Sequence, residues 1–220
     1  MSRYREPLFP VSVYHGTVED NGRIKELMLP LIKEHSGKHK VAPEGWLTNK
    51  LITSFDDEEF GNMLKSDSDV SVEIRNQYIK AMGLFFETTF SCVIEDMWYN
   101  SYSDGEYQEA HTHFGSYKTP NHYACVHFLN FDTQNHEPLT FLDPLRHVRA
   151  SSHEFSGFGG YYDNYKVRAK EGDIVMFPAY LEHEVRPGKP TPKYPRITIS
   201  FNIRIESFGN EEEEDNNGPE

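Results

Sequence analysis

From Ser91 onward the sequence breaks into short runs rich in aromatic and β-branched residues. They read SCVIEDMWYNSY, HYACVHFLNF, LTFLDP, KVRAK, DIVMFP, LEHEV and RITISFNIRIESF. Ser103-Asp104-Gly105, Glu171-Gly172-Asp173 and Pro187-Gly188 supply turns between them. Runs of this length, punctuated by glycine and proline, predict strands. Many short strands at this spacing predict a sandwich or a jelly roll. In the last run Arg196 and Thr198 share one strand face, and Ile197, Ile199 and Phe201 share the other.

The first ninety residues follow a different period. Ile24, Leu27, Met28, Leu31 and Ile32 fall at helical spacing in GRIKELMLPLIKEH, with Asn21 placed to cap it. Pro30 predicts a kink or a break. A second helix is expected from Ser68 or Asp69, with Val70, Ile74, Tyr78, Met82 and Phe85 along one stripe. The segment VAPEGWLTNKLITSFDDEEF between them reads as irregular structure with a short helix. The expected class is mostly β with flanking helices (α+β). One domain is expected over 1–209, with helical support over 1–90 and the β core over 91–209. Residues 210–220, NEEEEDNNGPE, read as an acidic disordered tail.

A chain of 220 residues can bury a substantial core without disulfides. Its two cysteines, Cys92 and Cys125, lie in apolar runs and read as buried thiols. The net charge of −13 speaks against sequence-independent binding to nucleic-acid phosphates. No run approaches the roughly 18 apolar residues of a membrane span. The N-terminus lacks the apolar stretch of a signal peptide. The expectation is a soluble, cytoplasmic protein, and nothing in the sequence bears on its oligomeric state.

His111-Thr112-His113 is the sharpest local feature. On a strand, both imidazoles would point to one face, a suitable spacing for two ligands of one metal. Taken alone the pair says little, because the chain has eleven histidines. Downstream, EGDIVMFPAYLEHEV carries His183 after a turn, an apolar strand and a proline bend. A buried Arg196 would need an anionic partner. The bland alternative is a surface arginine on an edge strand.

These residues come in a familiar order. W-x-N-x-Y-x-x-G-x-Y-x-x-x-H-x-H is followed by L-x-F-x-D-P, then E-G-D-x-V-x-F-P-x-x-x-x-H-x-V, then R-I-x-I-S-F-N. The set, from Trp98 to Asn202, resembles the iron(II)- and 2-oxoglutarate-dependent oxygenases, closest to a branch similar to the prolyl hydroxylases. The resemblance implies a double-stranded β-helix, a jelly roll, with helices packed on it. It implies Fe(II), 2-oxoglutarate and O₂ as the reacting partners. It puts His111 and His183 at iron-ligand positions and Arg196 at the grip on the far carboxylate of 2-oxoglutarate. Thr198 falls at the position of a supporting hydroxyl, and Tyr102 and Asn100 line the same pocket.

One position departs from the family pattern. The usual motif is His-x-Asp or His-x-Glu, and here the carboxylate position is His113. None of the eleven histidines has Asp or Glu two residues later. Three readings stay open. His113 is the third ligand, the preferred reading; or a carboxylate arrives from elsewhere, with Asp104, Glu109 and Asp143 as candidates; or the site is altered or lost. Replacing a carboxylate with imidazole leaves the metal face one unit more positive.

The implied activity is hydroxylation of an unidentified small-molecule or peptide substrate, coupled to decarboxylation of 2-oxoglutarate. The rival is a jelly roll that binds a metal or small molecule without turnover. Aromatic residues in 157–165 are candidates to close over a substrate. His127 reads as a core or rim histidine, with a pocket-facing position as the alternative, and His15, His35, His39, His136, His147 and His153 are expected to be exposed.

Overall fold

A computed structural model of the chain describes residues 11–38, 42–48, 51–86, 90–103, 105–115, 118–150, 163–189 and 193–209. Two antiparallel sheets and a helical layer make up the described structure. The strands are β1 (Tyr14–Thr17), β2 (Ile52–Thr53), β3 (Phe90–Tyr102), β4 (Gln108–His111), β5 (Tyr123–Asn130), β6 (Leu139–Leu142), β7 (Asn164–Lys166), β8 (Asp173–Pro178), β9 (His183–Val185) and β10 (Arg196–Phe208). The helices are α1 (Asn21–Lys38), α2 (Glu58–Lys65), α3 (Asp69–Gly83) and α4 (Arg146–Ala150). The larger sheet runs β1-β8-β5-β10-β3-β2, and the smaller runs β4-β9-β6-β7.

Strand alternation splits the interior into two cores. Ile197, Ile199, Phe201 and Ile203 of β10 face the helices, together with Met97 and Tyr99 of β3 and Ile174 and Met176 of β8. They meet Ile24, Met28 and Ile32 of α1 and Ile74, Tyr78 and Met82 of α3. Burying each such side chain stabilises the fold by about 1.5–3 kcal/mol. The opposite face gives Ala124, Val126, Phe128, Val175 and Phe177, which pack against Leu139, Phe141 and Val185 of the smaller sheet. Arg196, Thr198, Ser200 and Asn202 also leave β10 on this inter-sheet side, and all are buried.

Several local expectations change. Asp20, not Asn21, caps α1: its Oδ1 accepts from the Arg23 N–H at 2.9 Å. Pro30 does not divide that helix, which runs unbroken for 18 residues. Pro30 and Glu26 are both exposed, so the Glu26 carbonyl, which loses its partner to the proline, can turn to water. The buried stripe of α3 begins at Ser71, while Val70 is exposed and Phe85 lies beyond the helix end. Only Asn164–Lys166 forms β7, so KVRAK is mostly irregular. β1 and β2 are strands in a region read as helical.

Other expectations agree with the structure. Ser68 caps α3 through the Ser71 N–H. Both cysteines are free thiols, Cys125 buried and Cys92 partly buried. No described helix is long and apolar enough to cross a membrane. The acidic tail, Asp104, His39, His153 and residues 157–162 lie outside the described residues.

Candidate metal and anion site

β4 and β9 are neighbours in the smaller sheet, and their register sets His111 directly opposite His183. β4 ends at His111, so His113 is not on the strand as the sequence suggested. It still turns inward, because its backbone N–H donates to the Ala179 carbonyl at 2.8 Å and its carbonyl accepts from Asn121 Nδ2 at 2.9 Å. Gly115 makes this turn possible: a Cβ there would lie 2.3 Å from the Thr119 carbonyl oxygen.

The three imidazoles converge. Their ring centroids lie 4.3 Å apart for His111 and His183, 5.0 Å for His113 and His183, and 5.2 Å for His111 and His113. One ring nitrogen from each lies within 4.8 Å of the others, the one such group among the described residues. Each ring also has an oxygen at Nδ1. His111 Nδ1 is 2.8 Å from the Glu109 carbonyl, His183 Nδ1 is 3.1 Å from the Leu181 carbonyl, and His113 Nδ1 is 2.8 Å from Asn202 Oδ1. All three acceptors therefore call for an N–H at Nδ1, which leaves each Nε2 as a lone pair.

The Nε2 atoms of His113 and His183 are then two lone pairs 3.3 Å apart. Facing lone pairs repel unless a cation lies between them. Two nitrogens bound at about 2.1 Å and at right angles to one metal would be about 3 Å apart. The donor set fits a divalent transition metal such as iron or zinc, for which imidazole is a suitable ligand. Burial also disfavours the protonated rings. It lowers His111, lowers His183 well below the ordinary value, and together with the charge of His111 brings His113 to about 4.

Asn202, quoted in the sequence motif but given no role there, is the acceptor that orients His113. Trp98 also carried no assignment, and its ring stacks on His113 at 5.6 Å. Glu109, a candidate metal carboxylate, instead accepts from the Leu47 N–H through Oε1. Asp143 accepts from the Leu145 N–H, and neither carboxylate joins the histidine group.

β10 and β3 extend this site into a ladder. Asn202 pairs with Asp96, Ser200 with Trp98, Thr198 with Asn100 and Arg196 with Tyr102. β10 lies between β5 and β3, so Arg196 is not on an edge strand, and it is 2% exposed. Its guanidinium lies 4.4 Å from the centre of the Tyr102 ring. Among the described residues, Nε, Nη1 and Nη2 are all buried without an acceptor. Burial lowers its pKa, and the adjacent Tyr102 works in the opposite direction. Burial pushes the Tyr102 phenol up to about 12, and its hydroxyl donates to Gln108 Oε1 at 2.9 Å.

A narrow slot joins the two ends. It is lined by the three histidines, Trp98, Asn100, Tyr102, Gln108, Arg196, Thr198 and Ser200, among others. The space between its walls is about 270 Å³, of which about 10 Å³ admits the centre of a water-sized sphere. A slender anion would have to spread the walls slightly to lie along it. Every sequence-predicted site residue (His111, His113, His183, Arg196, Thr198, Tyr102 and Asn100) lines this one slot.

The other histidines divide differently from the expectation. His127 is in the core, with Nδ1 3.0 Å from the Tyr78 hydroxyl. His15, His122 and His147 are exposed. His136 is buried, not exposed, because its ring bridges the Asp132 N–H and the Tyr194 carbonyl. His35 is half-buried between the Tyr99 hydroxyl and the Asp57 carboxylate.

Comparison with known proteins agrees with this chemistry. Residues 96–202 match the family described as "Putative 2OG-Fe(II) oxygenase". The match supports an oxidoreductase of the 2OG-Fe(II) oxygenase kind, one that uses Fe(II), 2-oxoglutarate and O₂. Among solved structures it is similar to AviO1 from Streptomyces viridochromogenes, at 14% identity over 88% of this chain and 89% of that one, with a TM-score of 0.59. It is similar to a prolyl-4-hydroxylase from Pseudomonas putida, at 12% identity over 90% and 94%, with a TM-score of 0.52. HygX from Streptomyces hygroscopicus, crystallised with nickel and 2-oxoglutarate, matches at 10% identity over 88% and 82%, with a TM-score of 0.55. At these identities the likeness is one of fold. No curated protein matches the chain in sequence.

Proposed function

We propose that the chain is a hydroxylase in which His111, His113 and His183 hold Fe(II) and Arg196 pairs with the distal carboxylate of 2-oxoglutarate. The observation that carries this reading is the slot itself. At one end the Nε2 lone pairs of His113 and His183 face each other with His111 beside them, and at the other a guanidinium is buried with no acceptor among the described residues. A dianion between a divalent cation and an arginine would satisfy both ends. With three neutral imidazoles the metal keeps its full double charge, so 2-oxoglutarate would also complete the charge balance. The two facing sheets fit a double-stranded β-helix, with 1–209 as a single domain.

Bound together, Fe(II) and 2-oxoglutarate would supply the oxidative decarboxylation that drives oxygen into a substrate C–H bond. The residues of the chain position and shield. Asn202 and the Glu109 and Leu181 carbonyls hold the three rings with Nε2 inward. Tyr102 holds the guanidinium of Arg196 against its ring face. Thr198 and Asn100 offer a hydroxyl and an amide between the two ends, and Asn100 Oδ1 is itself buried without a donor among the described residues. Trp98 and Phe177 flank His113 and His183 and keep water from the ligands.

The test is succinate formation from 2-oxoglutarate by the purified chain with Fe(II) and O₂. Succinate is expected in the parent and absent in His183→Ala and Arg196→Ala. Tight binding of metal and 2-oxoglutarate with no succinate, even in the presence of candidate substrates, would favour the binding protein without turnover.

A further inference from the structure

Beside the slot lies a hollow of about 320 Å³, walled by Trp46, Phe55, Trp98 and Phe114 and carrying Asp96 and Glu109. It shares Trp98, Gln108, His111 and His113 with the slot, so it opens directly on His111 and His113. A second hollow, of about 470 Å³, shares Phe55, Asp96 and Trp98 with the first. It adds the carboxylates Asp56 and Glu58 and one cation, Lys65, which already pairs with Asp96 at 3.4 Å. The two form one elongated, acidic, aromatic-walled groove ending at the histidines. Leu47, whose N–H holds Glu109, and Phe114 are 74% and 71% exposed and supply apolar surface at its margin.

Two groups in this groove lack partners among the described residues. Trp98 is 5% exposed, and its indole Nε1 is buried with no acceptor. Glu109 Oε2 is buried with no donor, although Oε1 is held by Leu47. A ligand that satisfies both must bring a hydrogen-bond acceptor to the indole and a donor to the carboxylate. The two hollows together offer more room than a single side chain fills, and their aromatic walls suit an alkyl stem. Carboxylates beside aromatic faces favour a cation over an anion.

Resting on the hydroxylase reading above, we infer that the substrate is a peptide segment that presents a lysine-like alkylammonium side chain to Glu109 and Asp96. A backbone carbonyl of that segment meets Trp98, and the alkyl stem lies between Trp46, Phe55 and Phe114. The cation is held at the mouth of the histidine site, which brings the methylene groups next to it toward the metal ligands. This assigns a substrate class to the groove and makes Glu109 a specificity-determining residue.

The chain provides its own reporter, because both of its tryptophans, Trp46 and Trp98, line this hollow. The experiment titrates acetylated, amidated trilysine into the full chain at near-physiological salt and follows tryptophan emission, with and without Zn(II) and 2-oxoglutarate. A saturable change is expected with trilysine and not with trialanine or triglutamate. Binding is expected to weaken at least tenfold in Glu109→Gln and by a smaller factor in Asp96→Asn. No saturation with trilysine, equal binding of trialanine, or unchanged affinity in Glu109→Gln would overturn the inference. Spermidine binding as tightly as trilysine would also overturn it, since a free polyamine offers no carbonyl to Trp98. Calorimetry of Zn(II) and 2-oxoglutarate binding is run in parallel. If those bind and trilysine does not, the substrate class falls while the metal and 2-oxoglutarate site stands; if trilysine binds and those do not, the site reading falls and the groove stands as a peptide-binding surface.

Discussion

The side-chain oxygen of Asn202 lies 2.8 Å from Nδ1 of His113, joining positions 89 residues apart. The contact does two things at once. It selects the His113 tautomer whose Nε2 is a lone pair, and it fixes the ring plane toward His183. In the proposed three-histidine site, a residue outside the ligand set therefore controls whether His113 can serve as the third ligand.

Asn202→Ala should lower affinity for Zn(II) or Mn(II) by about 10–100-fold, the usual effect of losing such a supporting contact. Asn202→Asp keeps an acceptor at Nδ1 and should retain most of the affinity. Competitive metal titration of the three proteins checks this. Equal affinities in parent and Asn202→Ala would mean that His113 does not depend on this contact.

Arg196 makes an unusual stability prediction. Removing one partner of a buried pair normally destabilises, but among the described residues this guanidinium has no carboxylate to lose and rests on the Tyr102 ring. Arg196→Met should therefore raise ligand-free stability, by about 1–4 kcal/mol, the range seen when buried charge is replaced by packed apolar side chains. The same variant should lose the stabilisation that 2-oxoglutarate gives the parent, about 2.7 kcal/mol at 100 times Kd. Thermal unfolding with and without 2-oxoglutarate reads both effects. A large destabilisation of the ligand-free variant would show that Arg196 is part of the scaffold.

These two residues mark what the sequence could and could not reveal. Arg196 was legible because its strand alternates so cleanly: Ile197, Ile199 and Phe201 had to face a core, which forced Arg196 and Thr198 to the opposite side. That the opposite side is also buried depends on the smaller sheet packing over it, an arrangement no local pattern encodes. The histidines were legible by spacing and order. The end of β4 at His111 was not, because it is set by the Ala179 carbonyl and the close packing at Gly115. Asn202 looked like any polar residue in a strand, since its partner is distant in the chain. His136 was misread for the same reason: two backbone groups, one of them 58 residues away, satisfy its ring.

The buried imidazoles set an acid limit. Burial and the charge of His111 lower His113 to about 4, and burial lowers His127 to about 3. His111 and His183 are lowered as well, chiefly by burial. Each folded value lies below the unfolded value near 6.5, so the unfolded chain takes up protons first as the pH drops. The stability contribution is complete above about pH 6.5 and is lost as pH falls toward the folded values. For His113 alone the window from about 6.5 to 4 corresponds to about 3 kcal/mol. Urea midpoints of the metal-free chain should hold from pH 7.5 to about pH 6.5 and fall from there to pH 5. A flat profile over that range would show that these rings are not held neutral.

Position 113 is the decisive one. His113→Ala should lower metal affinity, because water must fill the position that the imidazole leaves. His113→Asp should keep or raise it, since a carboxylate adds a full negative charge to a face that otherwise has three neutral ligands. Asn202 can accommodate the change: its amide can turn so that Nδ2 donates to the new carboxylate where Oδ1 accepted from the ring. The shorter side chain must be helped inward by a small shift of the turn held by Ala179 and Asn121. The stack on Trp98 is lost in both variants, so the difference between them isolates the metal contact from the packing. In His113→Asp the metal and 2-oxoglutarate should also become less dependent on each other, because the carboxylate supplies charge that the cosubstrate otherwise brings. Competitive Fe(II) or Mn(II) titration near neutral pH, with and without 2-oxoglutarate, measures both quantities. Equal metal affinities across parent, Ala and Asp would remove His113 from the ligand set.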